Sequence, residues 1–171
     1  MACNQTISGI ARDCSPNMGG IRRVLFANFE DVTAVSVTSN KISAITLATS
    51  AKFKEYYLPK YTANFVTNQQ KDDAAGTNFY QTTLQILLNR MDTTKRVEIA
   101  ALSQNDLVAI VEDSNGIYWY LGKNEPVTSV AGDVATTGTA RTDRNGFQVT
   151  LVDNALEMPY EVDADIIDDL L

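Results

Sequence analysis

Residues 107–121 read LVAIVEDSNGIYWYL, and this stretch decides the class of the fold. Two apolar runs rich in β-branched and aromatic side chains, residues 107–111 and 117–121, flank a short polar segment. Asn115 and Gly116 in that segment tolerate the positive φ angles of a tight turn. The pattern predicts a β-hairpin in which Asn115 and Gly116 are the candidate turn residues.

Three consecutive aromatic residues lie in the second strand of this predicted hairpin. Because side chains alternate along a strand, Tyr118 and Tyr120 share one face and Trp119 lies on the other. Large aromatic side chains dominate cores and interfaces, so we expect these three to pack in the core or at an interface. The alternative is a stacking platform for a sugar or a base.

The chain before this hairpin predicts more strands, two of them long. β-branched and aromatic residues recur over residues 21–47, which is typical of several short strands. Residues 53–66 and 79–89 then form two extended limbs around a polar turn at 68–76. We expect one hairpin over 53–89, and its limbs exceed the usual ~5–6 residues of a strand, so part of it projects or pairs with another chain. Its candidate subunit-interface residues are Phe53, Tyr56, Tyr57, Tyr61, Phe65, Phe79 and Tyr80.

A single helix and an acidic end are also predicted. Asp92 or Thr93 can cap a helix over residues 93–104 through a side-chain oxygen. Residues 157–171 alternate in part, which indicates a last strand followed by one helical turn.

A second hairpin is predicted between the helix and this end. Residues 139–142 and 147–152 are strand-like and flank a polar turn at 143–146. Asn145 and Gly146 are its candidate turn residues.

These elements predict one domain for the 171 residues. The expected fold is mainly β with one helix, a small antiparallel β-barrel or sandwich with a long projecting hairpin. Residues 1–20 are expected to form an irregular N-terminal arm, 21–162 the β domain and 163–171 an acidic C-terminal tail.

The composition excludes several classes of chemistry. The chain has no histidine, which removes the commonest general base and most zinc sites. No apolar run approaches the roughly 20 residues of a membrane helix, so no membrane insertion is expected. Three clusters of carboxylates, at residues 72–73, 112–113 and 163–169, lie at predicted turns or in the tail, where acids are usually solvated, so we expect no catalytic residue, no metal and no cofactor.

Two cysteines, Cys3 and Cys14, lie in the predicted arm. Free thiols are expected. A disulfide requires the arm to double back, and a metal site requires further ligands from carboxylates or a second subunit.

Charge is distributed unevenly along the chain, which has a net charge of -7. Residues 1–71 carry eight basic and four acidic side chains, whereas residues 72–171 carry six and seventeen. A net acidic protein repels nucleic acid, so tight DNA binding is not expected. The asymmetry between the halves is suited to ordered self-association.

The order of these features resembles a virion structural protein of tailed bacteriophages, and most of all a tail tube protein. The resemblance covers residues 21–162 and rests on the strand pair, the long hairpin, the helix after it, and two short hairpins that carry DSNGIYWYLG and TGTARTDRNGF. It implies a non-enzymatic protein that self-assembles into stacked hexameric rings around a β-lined lumen. Acidic side chains would then repel the DNA that passes, and the arm and tail would order only on assembly.

The resemblance also implies partners and a location. The partners are other copies of the chain, other virion proteins and passing DNA that is not specifically bound. The protein would be made in the cytoplasm of a host bacterium and end in the virion tail. The alternatives are a head decoration protein, a connector or a neck ring, and, from another class, a carbohydrate- or protein-binding β-domain that uses residues 118–120.

Overall fold

The computed structural model describes residues 7–132 and 134–171, and in them the protein is mainly β with two sheets. The strands are β1 (Ile21–Asn28), β2 (Val32–Thr38), β3 (Lys41–Leu47), β4 (Lys54–Tyr57), β5 (Ala63–Asp72), β6 (Thr77–Asn89), β7 (Leu107–Asp113), β8 (Tyr118–Leu121), β9 (Thr128–Ser129), β10 (Ala135–Thr136), β11 (Gly146–Ala155) and β12 (Tyr160–Val162). The helices are α1 (Thr93–Gln104) and α2 (Ile167–Leu170), with 3-10 turns at Phe29–Asp31 and Ala164–Ile166.

The strands form two open sheets. The larger has the order β2-β3-β12-β8-β7-β1-β4, and the smaller has the order β10-β11-β6-β5, with β9 also paired to β11. Neither sheet closes into a barrel, so the arrangement is sandwich-like. All pairs are antiparallel except β12 with β3, which is parallel.

The hydrophobic core has two parts, one on each face of the larger sheet. Val24 and Phe26 of β1 point toward the smaller sheet, and Leu25 points to the opposite face. That opposite face is covered partly by the C-terminal residues Ile167 and Leu170. Because both faces of the central strands are buried, β7 has a continuous apolar run instead of an alternating one.

The predicted helix and the predicted β7–β8 hairpin are both present. Helix α1 begins after Asp92, whose side chain accepts a 2.9 Å hydrogen bond from the backbone N–H of Lys95. The turn between β7 and β8 contains Asn115 and Gly116, and Gly116 has φ +81°. Both elements are encoded by residues adjacent in sequence, which is why the local pattern found them.

The expectation of one hairpin over residues 53–89 is wrong in its first limb. Strand β4 pairs with β1 in the larger sheet, and Phe53 is buried in the core beneath the C-terminal helix. Only β5 and β6 pair with each other, from Ala63 with Ile86 to Asp72 with Thr77. The residues between β4 and β5 carry the chain from one sheet to the other.

The second predicted hairpin is also wrong. Residues 139–142 form no strand, and β11 pairs with β6, β9 and β10 instead. Gly146 is the first residue of β11, where a Cβ atom would overlap the carbonyl oxygen of Leu88. Glycine is required here by the close approach of β6 and not by a turn.

The acidic C-terminal tail, expected to order only on assembly, is ordered within the single chain. Ile167 and Leu170 are buried, and the backbone N–H of Phe53 donates a 3.0 Å hydrogen bond to the carbonyl of Leu170. Asp163 caps the 3-10 turn that precedes α2. The apolar residues of the tail therefore pack on the sheet while its acidic residues remain in solvent.

The N-terminal arm differs from the tail. Residues 7–20 are exposed and form no strand or helix. The arm joins the domain at its end, where the backbone N–H of Met18 donates to Oδ1 of Asn115 over 2.8 Å. Cys14 is exposed, and Cys3 lies outside the described residues.

The basic and acidic halves of the sequence do not become two sides of the molecule. Strand β1 lies between β7 and β4, and β12 lies between β3 and β8, so the halves interleave in the larger sheet. They also interleave in the smaller sheet, where β5 of the first half pairs with β6 of the second.

Candidate assembly surface

The free edge of the smaller sheet is strand β5. One side of β5 pairs with β6 over ten residue pairs, and within the described residues no strand pairs with its other side. Residues 63–70 contain no charge and no proline, and Val66 on this strand is 48% exposed. Natural sheets usually protect a long edge with charges, proline or a covering element. Strand β5 has none of these along most of its length.

The far end of β5 and β6 reaches solvent on both faces. Every side chain from residue 68 to 78 is exposed, whereas Thr82 further along β6 is buried. Asp72 shapes the tip, because its Oδ1 accepts hydrogen bonds from the backbone N–H groups of Ala74 and Ala75 at 2.9 and 3.1 Å. This end is held by its own backbone and turn, and it adds nothing to the core.

The outer face of the smaller sheet carries a single charge among the strand positions of β5, β6 and β11, Asp72 at the end of β5. Seventeen residues form it: Asn64, Val66, Asn68, Gln70, Asp72, Thr77, Phe79, Gln81, Thr83, Gln85, Leu87, Asn89, Gly146, Gln148, Thr150, Val152 and Asn154. Charged residues make up 20% of the chain, so this face is poorer in charge than the sequence as a whole. Amide and hydroxyl groups dominate the face, and Gln81 donates to Asn154 across the strands over 3.2 Å.

The structure separates the seven expected interface residues by burial. Tyr57 and Tyr61 are exposed at 70% and 96%, and Phe53 is buried at 2%. The half-buried members are Tyr56, Phe65, Phe79 and Tyr80. Phe53 is therefore a core residue, and only Tyr57 and Tyr61 present most of their side chains to solvent.

Tyr56 joins strand β4 to helix α1. Its ring packs edge-on against Phe26 with centroids 5.3 Å apart, and its hydroxyl donates to Glu98 over 2.6 Å. Burial raises the pKa of Tyr56, and the hydrogen bond to Glu98 raises the pKa further. This side chain has a structural role within one subunit.

The three aromatics of β8 do not form one platform. Tyr120 is 2% exposed and lies in the core on the outer face of the larger sheet, with Tyr118 packed beside it. Trp119 packs on the opposite face against the core between the sheets, and its Nε1 donates to Asp113 over 3.3 Å. A continuous stacking surface for a sugar requires rings on one face, and this arrangement does not provide it.

A buried ion-pair cluster lies on the same face as Tyr118. Arg23 donates to Glu55, to Glu112 and to the hydroxyl of Tyr118, and Glu112 is 3% exposed. Burial lowers the pKa of Arg23, but the hydrogen bonds that Arg23 donates to these partners outweigh that effect. They hold the pKa of Arg23 above its ordinary value. Arg22 also contacts Glu112 at 3.2 Å. The carboxylates are thus neutralised by arginine, which suits a structural cluster better than acid–base chemistry.

Asp113 beside this cluster acts as a turn cap. Oδ1 of Asp113 accepts from the backbone N–H groups of Asn115 and Ile117 at 2.8 and 3.0 Å. No group of three potential metal ligands occurs among residues 7–132 and 134–171. None of the helices in the described part of the chain is long and apolar enough to cross a membrane.

Comparison of the chain with models of protein families, with curated proteins and with solved structures gave no match. The function is therefore inferred from the free edge of β5 and the weakly charged outer face of the smaller sheet.

The sequence contained a partial signal for the weakly charged outer face. Gln81, Thr83 and Gln85 alternate with apolar residues along β6, so their shared face was visible from the pattern. That β11 extends this face with a second row of neutral residues follows only from the pairing of two strands more than fifty residues apart.

Proposed function

We propose that this chain is a non-enzymatic structural protein that self-assembles into stacked hexameric rings and forms the tail tube of a bacteriophage, a conduit for DNA. The observation that carries the proposal is the open edge of β5, which is uncharged over residues 63–70, with its fully exposed end at residues 68–78. A monomeric protein rarely keeps such an edge, because its unpaired N–H and C=O groups invite another strand.

A second copy is a suitable partner for this edge. Strand addition satisfies the free backbone groups of β5, and the lack of charge over residues 63–70 means that no ionised side chain loses water when the strands meet. The exposed residues at the end of the hairpin supply further contact area with a neighbour. When β5 pairs with a different surface of the next copy, the contact is heterologous, and the same step repeated around an axis closes a ring.

The weakly charged outer face is suited to the bore of such a ring. Lysine and arginine bind DNA through its phosphates, and neither residue occurs among the seventeen strand positions of this face. The sequence predicted an acidic lumen that repels DNA. In our proposal the bore is instead polar and nearly neutral, so DNA passes with little attraction or repulsion from the wall, while most of the net charge of -7 lies elsewhere.

A deletion at the tip tests the proposal. Removal of residues 68–76 joins Thr67 to Thr77 and leaves a five-residue loop between the paired residues Thr67 and Thr82. The deleted side chains are all exposed, so the variant should fold with nearly the thermal stability of the unmodified protein. It should remain monomeric in light scattering and form no tubes by electron microscopy.

The matched control keeps the tip and removes only its ion pair. Lys71→Ala combined with Asp73→Ala breaks a 2.9 Å pair between exposed side chains, which contributes little to stability. This control should assemble normally. Tubes formed by the deletion variant at the same protein concentration as the unmodified chain would contradict the proposal.

A further inference from the structure

The segment between β4 and β5 lies along the open side of the sandwich. It connects the edge strand of the larger sheet to the edge strand of the smaller one. Tyr57 at the end of β4 is 70% exposed, and Tyr61 is 96% exposed. Two large aromatic side chains therefore stand in solvent directly beside the free edge of β5.

Tyr61 has an unusual backbone conformation. Its φ is +65°, in the left-handed region where a Cβ atom is unfavourable. The other non-glycine residues with positive φ in the described chain are Ser39, Asn40, Ser50 and Arg90, and none is aromatic. Glycine or asparagine fits this conformation with less strain, so selection for stability alone would not favour tyrosine here.

The loop holds Tyr61 in one place. The hydroxyl of Thr62 donates to the carbonyl of Pro59 over 2.5 Å, and Leu87 N–H donates to the carbonyl of Thr62 over 2.8 Å. Leu58 N–H donates to the carbonyl of Arg22 over 3.2 Å. With both sides of the loop fixed, the backbone that carries the ring has little conformational freedom to lose when the ring binds.

We propose that Tyr61 is the anchor through which the β4–β5 side of one copy packs against a second copy of this chain. The inference rests on the proposed function and names the residue that fixes that contact. Tyr61 lies two residues before Ala63, the first residue of β5, so a chain that pairs with the free edge must pass beside its ring. Tyrosine is among the residues that most often dominate the binding energy of an interface.

Charge also favours a second copy as the occupant. Lys54 and Lys60 flank this segment, and neither forms an ion pair within the described residues. The chain as a whole has 21 acidic against 14 basic side chains, so another copy offers an excess of carboxylates. Such complementarity steers and orients the encounter.

The test uses three variants of Tyr61. Two of them should weaken assembly without loss of stability, and the third should assemble normally. Tyr61→Gly and Tyr61→Asn relieve the left-handed strain, so the Tm of the unassembled chain should stay level or rise by up to about 4 °C. Both should raise the concentration at which assembly begins by about tenfold or more, as measured by light scattering. Tyr61→Phe retains the ring and should assemble nearly as well as the unmodified chain.

Ser50→Gly is the matched control. Ser50 is exposed and has φ +70°, so the substitution relieves the same strain without removing an aromatic ring, and assembly should not change. If the unmodified chain never assembles, the proposed function fails and the inference with it. If the unmodified chain and Tyr61→Gly assemble at the same concentration, only the inference is overturned. A fall in Tm for both Tyr61→Gly and Tyr61→Asn would also overturn it.

Discussion

Asp153 is a carboxylate that the interior of the protein does not neutralise. The residue is 3% exposed, its Oδ2 accepts a 3.2 Å hydrogen bond from the backbone N–H of Gly122, and its Oδ1 has no partner among the described residues. Burial raises the pKa of Asp153 above its ordinary value, and the nearby Glu125 raises it further. The folded chain therefore holds this proton more tightly than the unfolded chain.

Asp153→Asn should stabilise the protein at neutral pH. Between the unfolded pKa of 3.8 and the raised folded pKa, the contribution of Asp153 to stability falls as pH rises, because the charged form is the one that burial penalises. Removal of the charge should increase the free energy of unfolding at pH 7 by on the order of 1 kcal/mol, or about 2–4 °C in Tm. The difference between variant and unmodified chain should shrink as pH falls toward 4.

Asp143→Asn is a control for which we expect the opposite change in stability at pH 7. Backbone N–H groups of Ala140 and Thr139 lower the pKa of Asp143, so its contribution is present at neutral pH and is lost as pH falls. This variant should be less stable than the unmodified chain at pH 7. An Asp153→Asn variant whose advantage is the same at pH 4 and pH 7, or which is destabilised at pH 7, would contradict the assignment.

Two Asn-Gly pairs show what single residues can and cannot predict. Gly116 has the positive φ that the sequence predicted for a turn, because the strands around it are adjacent in the chain. Gly146 belongs to a second Asn-Gly dipeptide, yet it begins a strand against Leu88. Asn145 instead accepts hydrogen bonds from the backbone N–H groups of Arg90 and Met91 with its carbonyl and side-chain oxygens. The partner of the second pair lies in a distant strand, which the local sequence does not show.

At the scale of the element, β5 should lose its ability to pair when it acquires a charge. Val66 on the edge strand and Val152 on the interior strand β11 both lie opposite Thr83 in one row of the outer face. Val66→Lys should raise the concentration at which assembly begins by about tenfold or more, because a charge on an edge strand opposes the addition of another strand. The measurement is light scattering over a dilution series, with circular dichroism to verify folding.

Val152→Lys places the same charge in the same row but away from the edge. It should leave the onset of assembly close to that of the unmodified chain. Equal impairment by both substitutions would indicate that neighbouring copies contact the face and not the edge, and it would contradict the role assigned to β5.

Elements whose partners are close in sequence were predicted well. Helix α1 has a capping residue and packing side chains within twelve residues, and β7 and β8 are joined by a tight turn. Strand β4 was assigned to the wrong sheet, because an aromatic, extended sequence fits either edge. Phe53, just before β4, shows why the sheet could not be predicted. Its burial depends on a C-terminal helix more than a hundred residues away.

At the scale of the molecule, the mainly β class followed from the sequence, but the order of the strands did not. The insertion of β12 between β3 and β8 is a non-local pairing, and one of its two contacts is parallel. This interleaving also removes the expected separation of basic and acidic halves. The distribution of charge along the sequence therefore does not predict where the charges lie in the folded molecule.

At the scale of the whole molecule, we propose that copies of this chain add to one another through the β4–β5 side. A single closed ring would suit a connector or neck protein, and trimers would suit a head decoration protein, whereas helical stacks of sixfold rings suit a tube. The symmetry of the assembly separates these structural roles.

Negative-stain electron microscopy of the purified chain over a range of concentrations, with light scattering for the mass of the particles, tests this claim most directly. We expect hollow filaments or stackable sixfold rings that become more abundant as concentration rises. A uniform particle with the 18.7 kDa mass of one chain at every concentration would contradict it.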